Sequence, residues 1–266
     1  MPPNANASAG ACFSVMAWNV AEFKPSATAP PGWTRWASMA AVAQAVLAEQ
    51  PTVLALQEVP TDVPAPELEG YRKVDADAAS HCGRVCVYAD DRRVAVVGQR
   101  ADGPHVIVWA LVDGERVAFV AGHLAPGAAA APVRARQIRS ACEAAARNAP
   151  LGHAHRTVWV GDANAREAET AALCGAAGLT DMFERWAATA AAADAERVRQ
   201  SKFTWDSVRN KFHASGHPFR CRFDRCMASA DLSCADWRLV RGEMAAEGSP
   251  PFCLSDHFGL VAHIRL

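Results

Sequence analysis

Net charge is nearly absent from this 266-residue chain, in which 27 Lys and Arg stand against 28 Asp and Glu. A protein that coats itself with a polyanion needs an excess of positive charge, so any nucleic-acid surface must be a local patch. No Cys-x-x-Cys occurs among the nine cysteines, most of which sit in apolar runs such as "VCVY" and "ALCGAAG". An odd set of this kind excludes a disulfide framework and reads as reduced, intracellular thiols. Cys82-x3-Cys86 beside His81, and Cys221 with Cys226, have no matching pair at zinc-ribbon spacing, so no structural zinc site is expected of them. "MPPNANASAGA" carries neither a basic-then-apolar signal nor a transit segment, and no apolar stretch could span a bilayer. A soluble intracellular protein with no membrane partner is expected. There is no repeat of solenoid period and no Pro/Gly/Ser linker, which predicts one domain over residues 1–266 with 1–11 as a flexible N-terminus.

What is present is an ordinary globular composition, 51% apolar and 21% charged. Apolar runs at 13–18, 52–57, 106–112, 116–122 and 157–162 predict strands, several of them buried on both faces. Residues 33–50 have helical apolar spacing and stop before Pro51; residues 131–148 are Ala-rich, open on Pro132 and end before Pro150. Two further helices are expected around 167–177 and 180–193, and Asp113-Gly114 predicts a hairpin turn. The pattern is mixed α/β.

Polar residues interrupt these runs at their carboxyl ends: Asn19 after "SVMAW", Glu58 after "VLALQ", His123 after "AFVAG", Asp162 and Asn164 around "TVWVGDAN". Strand carboxyl ends are where open α/β sheets build ligand sites. Further on come Asp224 in "RFDR" and the neighbours Asp256 and His257 in "CLSDHFGL". Adjacent strand residues face opposite ways, so Asp256 and His257 are expected at a strand start or on the loop before it, reaching into a polar cleft.

The set is chemically coherent. Glu58, Asn19 and Asp256 offer hard oxygen ligands of the type Mg²⁺ or Mn²⁺ takes. Asp162 can accept a proton from an attacking water that Asn164 orients. His257 and His123 can donate to phosphate oxygens as their charge grows, with Asp224 orienting His257. Phosphoryl transfer needs these parts.

"WNV", "LQEV", "GHL", "GDAN", "RFDR" and "SDHFGL", in this order over nearly the whole chain, resemble the endonuclease/exonuclease/phosphatase superfamily. The resemblance implies a four-layered α/β sandwich, two mixed β-sheets packed face to face with helices outside, and Mg²⁺-dependent hydrolysis of phosphate esters. Residues 202–225, with Thr204-Trp205-Asp206 ahead of Arg222-Phe223-Asp224-Arg225, are similar to the branch that cleaves 5′-phosphotyrosyl DNA left by a trapped topoisomerase II. That likeness implies DNA repair, DNA ends as partner, a nuclear location, and Asn19, Glu58, Asp162, Asn164 and His257 as catalytic. Glu58 would be the main metal ligand, and Trp205 would line the DNA groove. Two positions depart from the branch: Pro126 stands where it has a phosphate-binding serine, and Ala21-Glu22 where it tends to have Asp-Gly.

Eight Lys and Arg lie between Arg197 and Arg225 against Asp206 and Asp224 only. With Trp205 and Phe212 they make a backbone-binding groove plausible, and Arg166 and Arg222 are the candidate phosphate contacts. A clustered basic face can equally be solvated surface, and a tryptophan beside a strand can equally be core. The expectation is a monomeric phosphodiesterase for 5′-phosphotyrosyl DNA. The alternatives are another enzyme of the same fold (an abasic endonuclease, a deadenylase-like exonuclease, a sphingomyelinase) and a non-catalytic nucleic-acid-binding module.

Overall fold

In the strand Cys12–Asn19, Phe13, Val15 and Ala17 alternate with Met16 and Trp18, and both sets are buried. A strand covered on both faces must lie in the middle of a layered structure. The computed structural model describes residues 12–150, 156–190, 194–213, 217–245 and 251–266. The expectation for residues 1–11 and the end of the expected 180–193 helix (191–193) lie outside the described residues.

Along the chain run β1 (Cys12–Asn19), α1 (Arg35–Glu49), β2 (Val53–Val59), β3 (Tyr71–Lys73), β4 (Ala78–Ala79), β5 (Arg84–Asp90), β6 (Val94–Asp102), β7 (His105–Val112), β8 (Glu115–His123), α2 (Ala131–Arg147), β9 (Arg156–Asp162) and α3 (Thr170–Ala177). There follow β10 (Thr180–Asp181), α4 (Met182–Thr189), α5 (Ala195–Gln200), β11 (Trp205–Asp206), β12 (Arg220–Cys221), β13 (Asp224–Ala228), β14 (Ser233–Val240), β15 (Glu243–Met244), β16 (Phe252–Cys253) and β17 (Gly259–Arg265).

One large sheet has the order β14-β17-β1-β2-β5-β3, with β4 also on β5; the other has the order β10-β13-β9-β8-β7-β6. Each contains one parallel pair joined through a helix, β1/β2 through α1 and β8/β9 through α2, and the remaining pairings are antiparallel. Three apolar seams hold the layers together. Phe13, Val15, Val53 and Val87 meet Val108, Phe119, Val158 and Val160 between the sheets. Met16, Trp18, Leu54 and Tyr88 pack on Val42 and Val46 of α1. Ile107, Trp109, Val120 and Trp159 pack on Ile138 and Ala141 of α2. The order is therefore helix, sheet, sheet, helix, the four-layered sandwich expected.

Local signals place the elements. Thr34 caps α1, its Oγ1 accepting from Ala37 N at 3.2 Å, and Gln50 ends it with φ 49° before Pro51. Asp113 (φ 49°) and Gly114 (φ 90°) make the expected two-residue turn between β7 and β8. The helix expected from 180 begins at Met182 instead, because the Asp181 carboxylate accepts from Glu184 N and starts the helix there. Similarly, 167–169 is a 3-10 turn leading into α3. Among the described residues no helix is long and apolar enough to cross a membrane.

Candidate active site

The two parallel pairs face one another across the central seam, so their carboxyl ends meet at one edge of the sandwich. Asn19 ends β1, Glu58 lies at the end of β2, His123 ends β8 and Asp162 ends β9. Asn19 Nδ2 donates to Glu58 Oε1 at 2.9 Å and to Asp162 Oδ2 at 3.0 Å, linking residues from different sheets. His123 Nε2 lies 3.5 Å from Asp162 Oδ2 and 3.8 Å from Glu58 Oε1.

Backbone geometry makes this convergence possible. Gly122 and Gly161 are paired residues of β8 and β9, immediately before His123 and Asp162. A Cβ on Gly161, whose φ is 145°, would stand 2.0 Å from Gly122 O, so no side chain can occupy that position unless the strands part. Glu58 sits in an irregularity of the β2–β5 ladder with φ 56°, a bulge that aims its side chain at the strand end. Asn164, at φ 49°, donates its backbone N–H to Asp162 Oδ1 at 2.7 Å and its amide to Leu124 O at 3.0 Å.

The inner wall is dry. Asp224 opens β13 directly opposite Asp162, and its Oδ2 lies 2.8 Å from His257 Nδ1. His257 Nε2 in turn lies 3.8 Å from Asp162 Oδ2. Burial alone would lower His257, but Asp224 and then Asp162 raise it to about 10, so the imidazole is a cation at neutral pH. Burial pushes the Asp224 carboxyl above its usual range, against the pull of His257. Burial also works to raise Asp162, yet His257, His123, the Asn19 amide and the Asn164 N–H together bring it below the usual carboxylate range. Asp162 is thus ionised between two imidazoles.

The loop before β17 carries His257 and is tied down at several points. Trp18 Nε1 donates to His257 O at 3.0 Å, Ser255 Oγ donates to Asn19 O at 2.6 Å, and Asn210 Nδ2 donates to Ser255 O at 2.8 Å. The Thr204 hydroxyl accepts from Asp224 N at 3.0 Å. Thr204, Ser255 and Asn210 were missed as single residues, although two of them lie inside the "FTWD" and "SDHFGL" motifs. Ser80, whose Oγ lies 3.2 Å from His123 Nδ1, has no such signal.

Other expected residues fall in different places. Asp256 turns to His213, with Oδ2 3.0 Å from Nε2, and does not join the oxygens around Glu58. Asn19 presents its amide nitrogen to the two carboxylates while its oxygen accepts from Ala21 N at 3.0 Å. It therefore orients Glu58 and Asp162 where a ligating oxygen was expected. Arg222 requires a correction. Its guanidinium is fully buried, donating to Asp181 at 2.6 Å and to Glu167 and Glu184 at 2.8 Å, so it anchors α4 and the 167–169 turn and is no phosphate contact. Buried arginine is tolerated only with such partners. Arg166 is exposed, two residues past Asn164. Trp205 is half-buried and stands edge-on to His257, centroids 4.9 Å apart at 85°. It continues outward through Phe223 to exposed Phe219; the exposed Arg220 and Arg209 are held by the Asp206 carboxylate, next to Trp205 in β11, at 3.1 and 3.9 Å, and Lys211 Nζ lies 3.5 Å from Ser207 O. Pro126 lines a cleft of about 350 Å³ together with Ser80, His81, His123 and Gln137.

A divalent cation fits one part of this arrangement. Glu58 is a half-buried carboxylate whose Oε1 accepts from Asn19 Nδ2. That is the hard, partly open oxygen donor which Mg²⁺ takes together with water and substrate phosphate.

The sequence profile described as the Endonuclease/Exonuclease/phosphatase family matches residues 16–257. A comparison with curated proteins gives no match. Among solved structures, D. rerio TDP2 complexed with single strand DNA product superposes with a TM-score of 0.69 at 18% identity, covering 96% of this chain and 100% of that one. A truncated Caenorhabditis elegans TDP2 gives 0.70 at 21% identity, covering 96% and 98%. A Bacteroides thetaiotaomicron mannosyl-6-phosphatase gives 0.64 at 14%, covering 96% and 100%. At these identities the structures share the fold.

Proposed function

The chain belongs to the Endonuclease/Exonuclease/phosphatase family, and we propose that within it the protein is a Mg²⁺-dependent hydrolase of 5′-phosphotyrosyl DNA ends or closely related nucleic-acid ends. The observation that carries this reading is the cluster of Glu58, His123, Asp162 and His257 at the strand ends, with Trp205 edge-on to His257 and leading out through Phe223 to Phe219. Bases stack on such aromatic surfaces whatever their identity, and the exposed Arg209, Lys211 and Arg220, gathered around Asp206 and Ser207 next along the chain from Trp205, suit a backbone.

Asp162, ionised across the neutral range, accepts the proton of the attacking water, and Asn164 orients that water. His257, kept cationic by Asp224, donates to a non-bridging phosphate oxygen as negative charge develops there. His123 Nε2, buried and without a protein partner, is the second donor. Glu58 would hold Mg²⁺ or Mn²⁺; when bound, the ion neutralises charge on the phosphate oxygens. Asp256 would join it only by releasing His213. A tyrosyl phenolate leaves readily, with a phenol pKa of about 10, so no strong acid is needed for it.

The test is tyrosine release from a 5′-phosphotyrosyl oligonucleotide with Mg²⁺ and with EDTA. Abasic DNA, a p-nitrophenyl phosphodiester and a sugar phosphate serve as alternative substrates. Mg²⁺-dependent release that disappears in Glu58→Gln supports the reading. Preference for one of the other three substrates would move the protein to another branch of the family, and DNA binding without any hydrolysis would overturn catalysis.

A further inference from the structure

The turn between β4 and β5 brings two residues that the proposed hydrolysis does not use up against two that it does. His81, Cys82, Glu58 and His123 each offer a ligand atom, and these atoms all lie within 4.8 Å of one another. Glu58 Oε1 and His123 Nε2 are already 3.8 Å apart. A tetrahedral ion with bonds of about 2.0–2.3 Å has edges of roughly 3.3–3.8 Å, so modest side-chain movement closes the set. Two imidazoles, a thiol and a carboxylate are a borderline-soft donor group, matched to Zn²⁺ or Co²⁺ and mismatched to Mg²⁺.

The site is built into the fold at three points. His123 is 1% exposed, and its Nε2 has no hydrogen-bond partner. Its Nδ1 lies against Ser80 Oγ, the type of contact that fixes the ring of a metal-binding histidine. The turn lies close against β2, where a Cβ on Gly83 would stand 2.6 Å from Val59 O, and is closed on itself, with Ser80 N donating to Gly83 O at 3.1 Å and Ser80 Oγ to Cys82 O at 2.8 Å. His81 is exposed and tilts against His123, centroids 4.2 Å apart, which leaves the cluster open to an ion from solvent. Cys86 takes no part; it is buried in the seam beneath α1.

The geometry points to a second metal site, for a zinc-class divalent cation, formed by Glu58, His81, Cys82 and His123. On binding, the Cys82 thiol gives its proton to solvent and its sulfur to the ion. Occupation engages Glu58 and His123 together, so on the functional reading above a bound zinc ion blocks hydrolysis. The site itself does not depend on that reading.

The test is titration of metal-free protein with Co²⁺, followed by Zn²⁺. One equivalent of Co²⁺ should give tetrahedral visible bands with a thiolate-to-cobalt band in the near ultraviolet, and Zn²⁺ should bleach both. Cys82→Ser should lose the thiolate band, and His81→Gln should weaken binding at least about tenfold, both with unfolding curves like the wild type's. Persistence of the thiolate band in Cys82→Ser, or no thiolate band in the wild type, overturns the site. Whatever substrate is found, the Zn²⁺ concentration that halves the Mg²⁺-supported rate should rise at least about tenfold in Cys82→Ser. If no substrate is found, the cobalt spectrum still decides the site.

Discussion

Asp162 stands between two walls of opposite make. On one side Asp224, His257, Thr204 and Ser255 are buried and tied to the backbone of neighbouring strands and loops. On the other side Glu58, His81 and Cys82 are half-buried or exposed, and their partners are few. The dry wall is suited to holding a charge in place, because electrostatic coupling is strong where water is excluded. The wet wall is suited to exchange, because ions and substrate oxygens can enter and leave. On the proposed function, proton placement belongs to the side built from β13 and the loop before β17, and ligand exchange to the side built from β2 and the β4–β5 turn.

The largest break in that division should come from the residue they share. Asp162→Asn should lower kcat by about 10²–10⁴ in steady-state hydrolysis while the melting temperature stays near wild type. Next comes the junction that lets the walls meet. Gly161→Ala places a methyl 2.0 Å from Gly122 O, and it should cost more than about 3 kcal/mol in urea unfolding.

Third, Asp224→Asn tests the dry wall alone. His257 is raised to about 10 in the folded protein, from about 6.5 when unfolded. Stability from its charge is complete below the lower value and is lost as pH rises through the higher one. Removing the carboxylate that raises it most should move the alkaline limb of the pH–rate profile down toward neutrality and reduce kcat by about 10²-fold. A limb left near pH 10 would mean that Asp162 and Asp256 hold the charge without Asp224. The smallest effect is expected outside both walls: Phe219→Ala should raise KM for an oligonucleotide about tenfold, as loss of one stacked base does, with no change for a p-nitrophenyl phosphodiester.

The strands and their terminal polar residues were legible because both are local. A doubly buried strand shows as a continuous apolar run, and Asn19, His123 and Asp162 each end one while Glu58 is the last residue but one of β2. The loop placement of Asp256 and His257 followed from the same two-residue period. What could not be read depends on distant partners. Arg222 looks like any surface arginine until Asp181, Glu167 and Glu184 close around it. The pairing of Asp256 with His213 is set by how two loops cross, and the meeting of Cys82 with Glu58 by a clamped turn; neither leaves a periodic trace. The left-handed run Ala21, Glu22 and Phe23, with φ of 45°, 54° and 54°, was visible only as a departure from Asp-Gly.

The order of strands in the first sheet has a consequence for how activity is acquired during synthesis. β17 lies between β1 and β14, so one of the neighbours of β1 is encoded some 240 positions downstream of it. Such long-range pairings form slowly, and partly made chains expose an unpaired edge meanwhile. A nascent chain that has emerged through β9 already carries Asn19, Glu58, His123 and Asp162, yet it lacks the histidine and the strand that complete their setting. Hydrolytic competence should therefore switch on late and all at once, when residues 257–265 dock, and a truncated translation product should be inert.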